Sequence, residues 1–228
     1  MGVTTQVIIP AAAWDDESRL AARDWVTAWW QHRCDLVTVA ELAEGPWSKG
    51  RAVNAAIAAS TADVIVVADS DSFVPVRQFN RVFGAVLRGS WAAPFTTVRR
   101  LDPPSTAEVL ASDPAVTERP AFRNLAQPPH RVLPGGGIVA AHRNLWSAVG
   151  GFDPRFAGWG GEDYALGCAM RTLAEAPART AWGDLWHLWH TPQPDCRAAS
   201  PATDALGWRY RKAKFKPDAM RALIGEWR

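Results

Sequence analysis

Two aspartates one residue apart end the stretch "VIVVADSD": Asp69 and Asp71 directly follow the apolar run Val64, Ile65, Val66, Val67 and Ala68. Residues i and i+2 of an extended chain point to the same side, so both carboxylates can face one hard cation. Mn²⁺ and Mg²⁺ take oxygen ligands and commonly share them with substrate phosphates. A D-x-D tripeptide arises often by chance. Its position at the end of a buried-type strand is what makes this one a candidate metal site.

A second group lies in "GGGIVAAHRNLWSAVGGFDPRFAGWGGEDYAL". Gly136 and Gly137 precede a strand signal, and Trp159, Gly160, Gly161, Glu162 and Asp163 follow one another at a predicted helix start. Glycines permit positive φ and close approach of main chain to a sugar or phosphate. Carboxylates in a first helical turn are favoured by the helix dipole, so Glu162 and Asp163 are also ordinary helix-start residues. The same acids beside an indole face and two glycines form a sugar platform next to a general base.

The elements that must hold these residues alternate strand and helix. "TTQVIIP" and "CDLVTVA" read as strands, and "SRLAARDWVTAWWQHR" reads as an amphipathic helix through Ala21, Trp25 and Trp29, with Asp15, Asp16 and Glu17 at its start. "SKGRAVNAAIAAS" is a helix with Ser48 as N-cap, "VPVRQFNRVFGAVLRG" a helix ending near Gly89, and "SWAAPF" a fourth strand. Strands joined by helices predict a single α/β domain with a mostly parallel sheet flanked by helices. Ligands of such sheets gather beyond the carboxyl ends of the strands, where Asp69 and Asp71 stand. Residues 94–134 are Pro-rich and read as a long surface loop with one short helix at "STAEVLAS". "ARTAWGDLWHLWH" reads as one late strand, and "DALGWRYRKAKFKPDAMRALIGEWR" as a charged helical tail.

Composition narrows the function classes. The 228 residues are 48% hydrophobic and 21% charged, and the net charge of +2 creates no bulk attraction to nucleic acid or an acidic membrane. Cys34, Cys168 and Cys196 are widely spaced and odd in number, which argues against a zinc ribbon or disulfide framework. No signal peptide or 18-residue apolar run is visible, so the expectation is a soluble cytoplasmic protein without membrane insertion. Thirteen tryptophans stand against two tyrosines, and an indole serves core and sugar site equally well.

The segments "VIIP", "SKGRAVNAAI", "VVADSD", "GGGIVAAHR", "GGFDPRF" and "WGGED", in that order over residues 6–170, resemble GT-A glycosyltransferases. The likeness is to family 2 and to the C-terminal segment shared by β-1,4-galactosyltransferases and polypeptide GalNAc-transferases. It implies a Rossmann-like GT-A domain over 1–228. Residues 1–93 would be the nucleotide-sugar half, 94–134 the Pro-rich loop and 135–228 the acceptor and catalytic half. It also implies a hexose or N-acetylhexosamine transferase using a UDP-sugar and Mn²⁺ or Mg²⁺. Asp71 would be the direct metal ligand and Asp69 would serve ribose and metal. A histidine completes the shell in such enzymes, and His187 and His190 compete for that place. A strand period of two puts them on opposite faces if the segment stays extended, leaving room for one.

Relatives that invert configuration carry an acid where this chain has Asp163, so Asp163 is the implied base, and Glu162 would hold the acceptor or help position Asp163. Pro10 and Ala11 match the strand end that cradles the nucleotide. Glu41 or Glu44 would accept from a uracil N–H, Lys49 resembles the lysine such relatives keep near the nucleotide, and Asn54 lies a helical turn further on. Gly136 and Gly137 join this donor set.

A nucleotidyltransferase would need a Gly-rich basic loop after the first strand, and "PAAAWDDESR" has no glycine. A non-catalytic nucleotide-sugar module would have no use for Asp163. The acceptor stays open among glycan, protein and hydroxymethylated DNA. The basic run Arg209, Arg211, Lys212, Lys214 and Lys216 is either a solvated helix face or a phosphate contact. The DNA alternative fits a virus-encoded enzyme acting in host cytoplasm.

Overall fold

The computed structural model describes residues 2–12, 16–42, 47–121, 123–131, 134–158, 160–174, 176–179, 182–192 and 200–228. Trp159, Glu44, Asp15 and Cys196, all singled out above, lie outside them. The first half alternates β1 (Thr5–Pro10), α1 (Glu17–Gln31), β2 (Leu36–Ala40), α2 (Lys49–Ala59) and β3 (Val64–Ala68). It continues with β4 (Ser72–Phe73), α3 (Val76–Leu87) and β5 (Trp91–Ala93). Then follow β6 (Thr97–Arg100), α4 (Pro103–Ala111), β7 (His130–Arg131), β8 (Ile138–His142) and α5 (Arg143–Val149). The chain closes with α6 (Glu162–Leu173), β9 (Ala178–Arg179), β10 (Asp184–His187), α7 (Pro201–Ala213) and α8 (Pro217–Gly225).

The main sheet has the order β2-β1-β3-β8-β5-β9. β8 alone runs antiparallel to its neighbours β3 and β5, so the other strands share one direction. β3 lies at the centre and is buried throughout, as expected of a strand covered on both faces. Its side chains alternate between two cores: Val64, Val66 and Ala68 pack with α1 and α3, while Ile65 and Val67 pack with α5 to α8. Burial of such apolar side chains contributes about 1.5–3 kcal/mol each, and this central strand holds the rest in place.

The caps explain where the helices start. Asp16 accepts the Arg19 N–H at α1, and Ser48 accepts the Arg51 N–H at α2. On α1 the buried stripe is Ala22, Trp25, Val26, Trp29 and Trp30, so the small residue facing the core is Ala22, not Ala21. Many of the tryptophans are core residues: Trp25, Trp29, Trp30, Trp91, Trp146 and Trp186 are all buried.

Two departures from the sequence reading matter for function. The segment 94–134 is not only loop and helix: β6 and β7 join β4 and β10 in a second sheet of order β4-β10-β6-β7. The predicted single late strand is two, with β9 on the main sheet and β10 on the small one. No helix among the described residues is long and apolar enough to cross a membrane.

Candidate active site

β3 stops at Ala68, and Asp69 to Asp71 form a turn in which the Ser72 N–H reaches the Asp69 carbonyl at 3.2 Å. The turn removes the alternation that would have aimed both carboxylates at one point. Asp69 instead faces the glycine segment and α2, where its Oδ2 accepts the Gly137 N–H at 3.1 Å and its Oδ1 lies 2.7 Å from Lys49 Nζ. Asp71 faces the small sheet. The pair is divided between two clusters.

The first cluster is Asp71, His187 and His190, whose ligand atoms lie within 4.8 Å of one another. β10 pairs with β4 so that His187 stands opposite Ser72, and the Leu188 N–H donates to the Asp71 carbonyl at 2.8 Å. The strand ends at His187, so the opposite-face expectation does not apply beyond it. The chain leaves extended geometry and both rings turn to Asp71, with Nε2 to Oδ2 distances of 3.5 Å for His187 and 3.2 Å for His190. Each Nδ1 faces a main-chain carbonyl, Leu188 at 2.8 Å and Thr191 at 3.2 Å. A proton held on Nδ1 by such a partner would leave Nε2 for a metal, the arrangement metal-ligating histidines use. Burial opposes ionisation of Asp71, but His187, His190 and the Ser72 hydroxyl outweigh it and hold the carboxyl far below the usual range. Burial pulls His187 down, Asp71 opposes that pull, and Arg100 adds to it. A carboxylate and two imidazoles suit a divalent cation with open positions, and the residues present fit one.

The second cluster surrounds Lys49, which is nearly buried and lies 2.8 Å from Asp163 Oδ1 as well as 2.7 Å from Asp69. Burial disfavours its charge, yet Asp163, Asp69 and Glu162 together keep the ammonium protonated well above the ordinary lysine range. Burial raises the Asp163 carboxyl, Lys49 opposes, and Glu162 and Asp69 raise it further, to about 7. Its side chain is still 38% exposed, so the carboxylate can be reached from solvent. Glu162 Oε2 is buried and has no hydrogen-bond partner among the described residues.

The glycines are needed for this packing. A Cβ on Gly136 would come within 2.1 Å of Asp163 Oδ2, and one on Gly167 within 2.1 Å of the Pro134 carbonyl. Gly160 and Gly161 take φ of 98° and 89° to turn the chain into α6.

The other predicted residues are placed as follows. Pro10 ends β1 opposite Ala40, and the buried Ala11 donates its N–H to the Ala40 carbonyl at 3.0 Å. Glu41 pairs with Arg23 at 3.2 Å. Asn54 is not brought to the carboxylates: its amide donates to the Phe152 carbonyl at 2.7 Å and accepts the Phe152 N–H at 3.0 Å, clamping the loop before α6. Arg100 was missed. It is the β6 partner of His187 across the small sheet, with its guanidinium 2.6 Å from His187 Nε2. The only signal was a basic pair, "VRR", in a stretch read as loop.

A central, nearly parallel sheet with a metal-fitting carboxylate after its middle strand and an acidic helix start opposite defines a GT-A glycosyltransferase domain. The chain belongs to the glycosyltransferase family 2-like proteins: the model described as "Glycosyltransferase like family 2" matches residues 14–185. No curated protein matches the chain in sequence. Among solved structures it is similar to the catalytic domain of Drosophila β1,4-galactosyltransferase 7 in complex with xylobiose. That pair has a TM-score of 0.55 and 12% identity over 92% of this chain and 81% of the other. GalNAc-T7 with UDP, GalNAc and Mn²⁺ gives 0.56 and 14% over 92% of this chain, which spans 48% of that protein. TarS of S. aureus gives 0.53 and 10%, over 99% and 43%.

Proposed function

We propose that the protein is a metal-dependent, inverting glycosyltransferase that moves a hexose or N-acetylhexosamine from a UDP-sugar to a hydroxyl acceptor. The observation that carries this reading is the meeting of two clusters at the carboxyl end of β3, one fitted to a cation and one built around Asp163. The solved relative GalNAc-T7 holds UDP, GalNAc and Mn²⁺, which favours the same donor chemistry.

A divalent cation held by Asp71, His187 and His190 would neutralise the diphosphate of the leaving nucleotide. Lys49 holds Asp69 and Asp163 in one place and supplies a fixed positive charge between them. Asp163 takes the proton of the acceptor hydroxyl, and a carboxyl raised toward neutrality suits that transfer. Glu162 holds the acceptor or helps to position Asp163, whose carboxyl it raises. The hydroxyl oxygen forms the new bond to the anomeric carbon as the bond to the diphosphate oxygen breaks.

Calorimetry with UDP, with and without Mn²⁺, tests the donor half, and a UDP-sugar panel read by product mass spectrometry tests transfer. Mn²⁺-dependent binding that falls at least about tenfold in Asp71→Ala is expected for loss of a direct ligand. Affinity unchanged by EDTA would remove the metal from the reading.

A further inference from the structure

On α7, Asp204, Gly207, Trp208 and Arg211 follow one another at i, i+3, i+4 and i+7, a single stripe of the helix. The buried residues Leu206, Tyr210 and Ala213 occupy the other side, and the buried Thr203 borders the stripe. With Gly161 and Tyr164 of α6, and Lys214 and Phe215 beyond α7, that stripe lines a groove of about 890 Å³. The volume suits a ligand larger than one sugar ring.

The groove begins at the catalytic helix. Gly161, the N-cap of α6, and Tyr164 line the wall, and they flank in sequence Asp163, whose carboxylate faces Lys49 and is not itself part of the wall. Its charges are arranged in order. Arg211 and Lys214 form no ion pair with an acid among the described residues, although both line the opening. Asp204, the carboxylate of the lining, sits in the first turn of α7, where the helix dipole favours it. It is seven residues, or about 10 Å of helix rise, from Arg211.

The cations are also held in position. The Arg211 guanidinium lies 4.9 Å from the Trp208 ring, and Lys214 Nζ lies 4.9 Å from the Phe215 ring. Trp208 is 53% exposed and Phe215 66% exposed. Phe215 has φ of 63°, the one non-glycine residue with positive φ among the described residues. A bulky side chain held there is strained, and such strain concentrates at ligand clamps.

Resting on the function proposed above, we propose that this groove is the acceptor site and that the acceptor is an anionic sugar. Its acidic group pairs with Arg211 and Lys214, a ring lies against the aromatic rim, and the reacting hydroxyl reaches Asp163. Gly207 offers a clean way to close the groove, because a Cβ there meets nothing within 4 Å and its side chain would grow into open space. Leu is also a better helix former than Gly, so Gly207→Leu should fold.

The test is calorimetry of the full chain, saturated with Mn²⁺ and UDP, against glucose 6-phosphate, glucuronate and glucose. One or both charged sugars should bind at least about tenfold more tightly than glucose, as expected when charge-assisted hydrogen bonds are added. Comparing phosphate with uronate identifies the acidic group. Gly207→Leu and the double variant Arg211→Gln/Lys214→Gln should each lose about tenfold or more of that affinity. UDP affinity, measured in the same samples, should not move. Equal binding of glucose, no binding of either charged sugar, or variants with unchanged affinity would overturn the proposal. A duplex oligonucleotide that binds with the same Arg211 and Lys214 dependence while the sugars do not would overturn it in favour of nucleic acid. Absence of Mn²⁺-dependent UDP binding in the unaltered protein would instead count against the function above, and the sugar titrations alone would still decide the groove.

Discussion

Lys49 Nζ lies 2.8 Å from Asp163 Oδ1, joining residues 114 positions apart in the chain. The same ammonium lies 2.7 Å from Asp69, so one buried lysine ties the strand-end carboxylate to the proposed base. Lys49→Met would leave both carboxylates facing each other without a cation. Removing one partner of a fully buried pair costs about 3–5 kcal/mol. Asp163 is 38% exposed, so a loss of about 2 kcal/mol in urea unfolding is expected. Adding Asp163→Asn should restore part of it, which a double-mutant cycle reads as coupling.

Asp163→Asn should reduce transfer by about 10²–10⁴-fold while sparing UDP and metal affinity, because it removes the proton acceptor and keeps the shape. Glu162→Gln should raise the acceptor KM. The product's anomeric configuration, read by NMR, should be opposite to the donor's. Retained configuration or near-normal turnover in Asp163→Asn would reject the base assignment.

The pH dependence should follow the same carboxylate. With Asp163 raised to about 7, the fraction able to accept a proton grows as pH rises through neutrality. kcat/KM for the unaltered enzyme should therefore rise along a limb centred near that value, and the residual activity of Asp163→Asn should lack the limb. A flat profile between pH 6 and 8 on the scale of about one unit either side of neutrality would exclude Asp163 as the titrating base.

Gly136→Ala should impair transfer more than folding. The added Cβ would meet Asp163 Oδ2 at 2.1 Å, and the carboxylate must move to relieve the overlap. Misplacing a catalytic group by about 1 Å can cost about 10²-fold in rate. The expected result is a kcat loss with a cooperative unfolding transition still present, seen by kinetics and circular dichroism together.

Glu226 bonds to both Arg209 and Arg155, and these hydrogen bonds lower its carboxyl to about 2 in the folded protein. A lowered acid contributes stability above its ordinary value of 4.5, and that contribution is lost as pH falls toward 2. Thermal unfolding of Glu226→Gln should thus match the unaltered protein at acid pH and fall below it from pH 5 upward, by a small amount because the group is on the surface. Equal melting temperatures across that range would dismiss the pairing as a stabilising feature.

The parts legible in the sequence are those set by neighbours along the chain. The unbroken run Val64 to Ala68 reads as a buried strand because a strand covered on both faces tolerates it. Ser48 and Asp16 mark helix starts because a side-chain oxygen satisfies an N–H three residues on. Glu162 and Asp163 sit at the start of α6 as their spacing from Gly161 implied. What the tertiary structure decided is which distant groups meet. Asp69 and Asp71 part company because the chain turns immediately after Ala68. His187 and His190 both reach Asp71 because β10 pairs with β4, and Arg100 joins them through the register of β6. Those strands have only two to four residues, too short for any alternation to show. Their pairing is fixed by hydrogen bonds and burial between segments far apart in the chain, and no local pattern of residues carries that information.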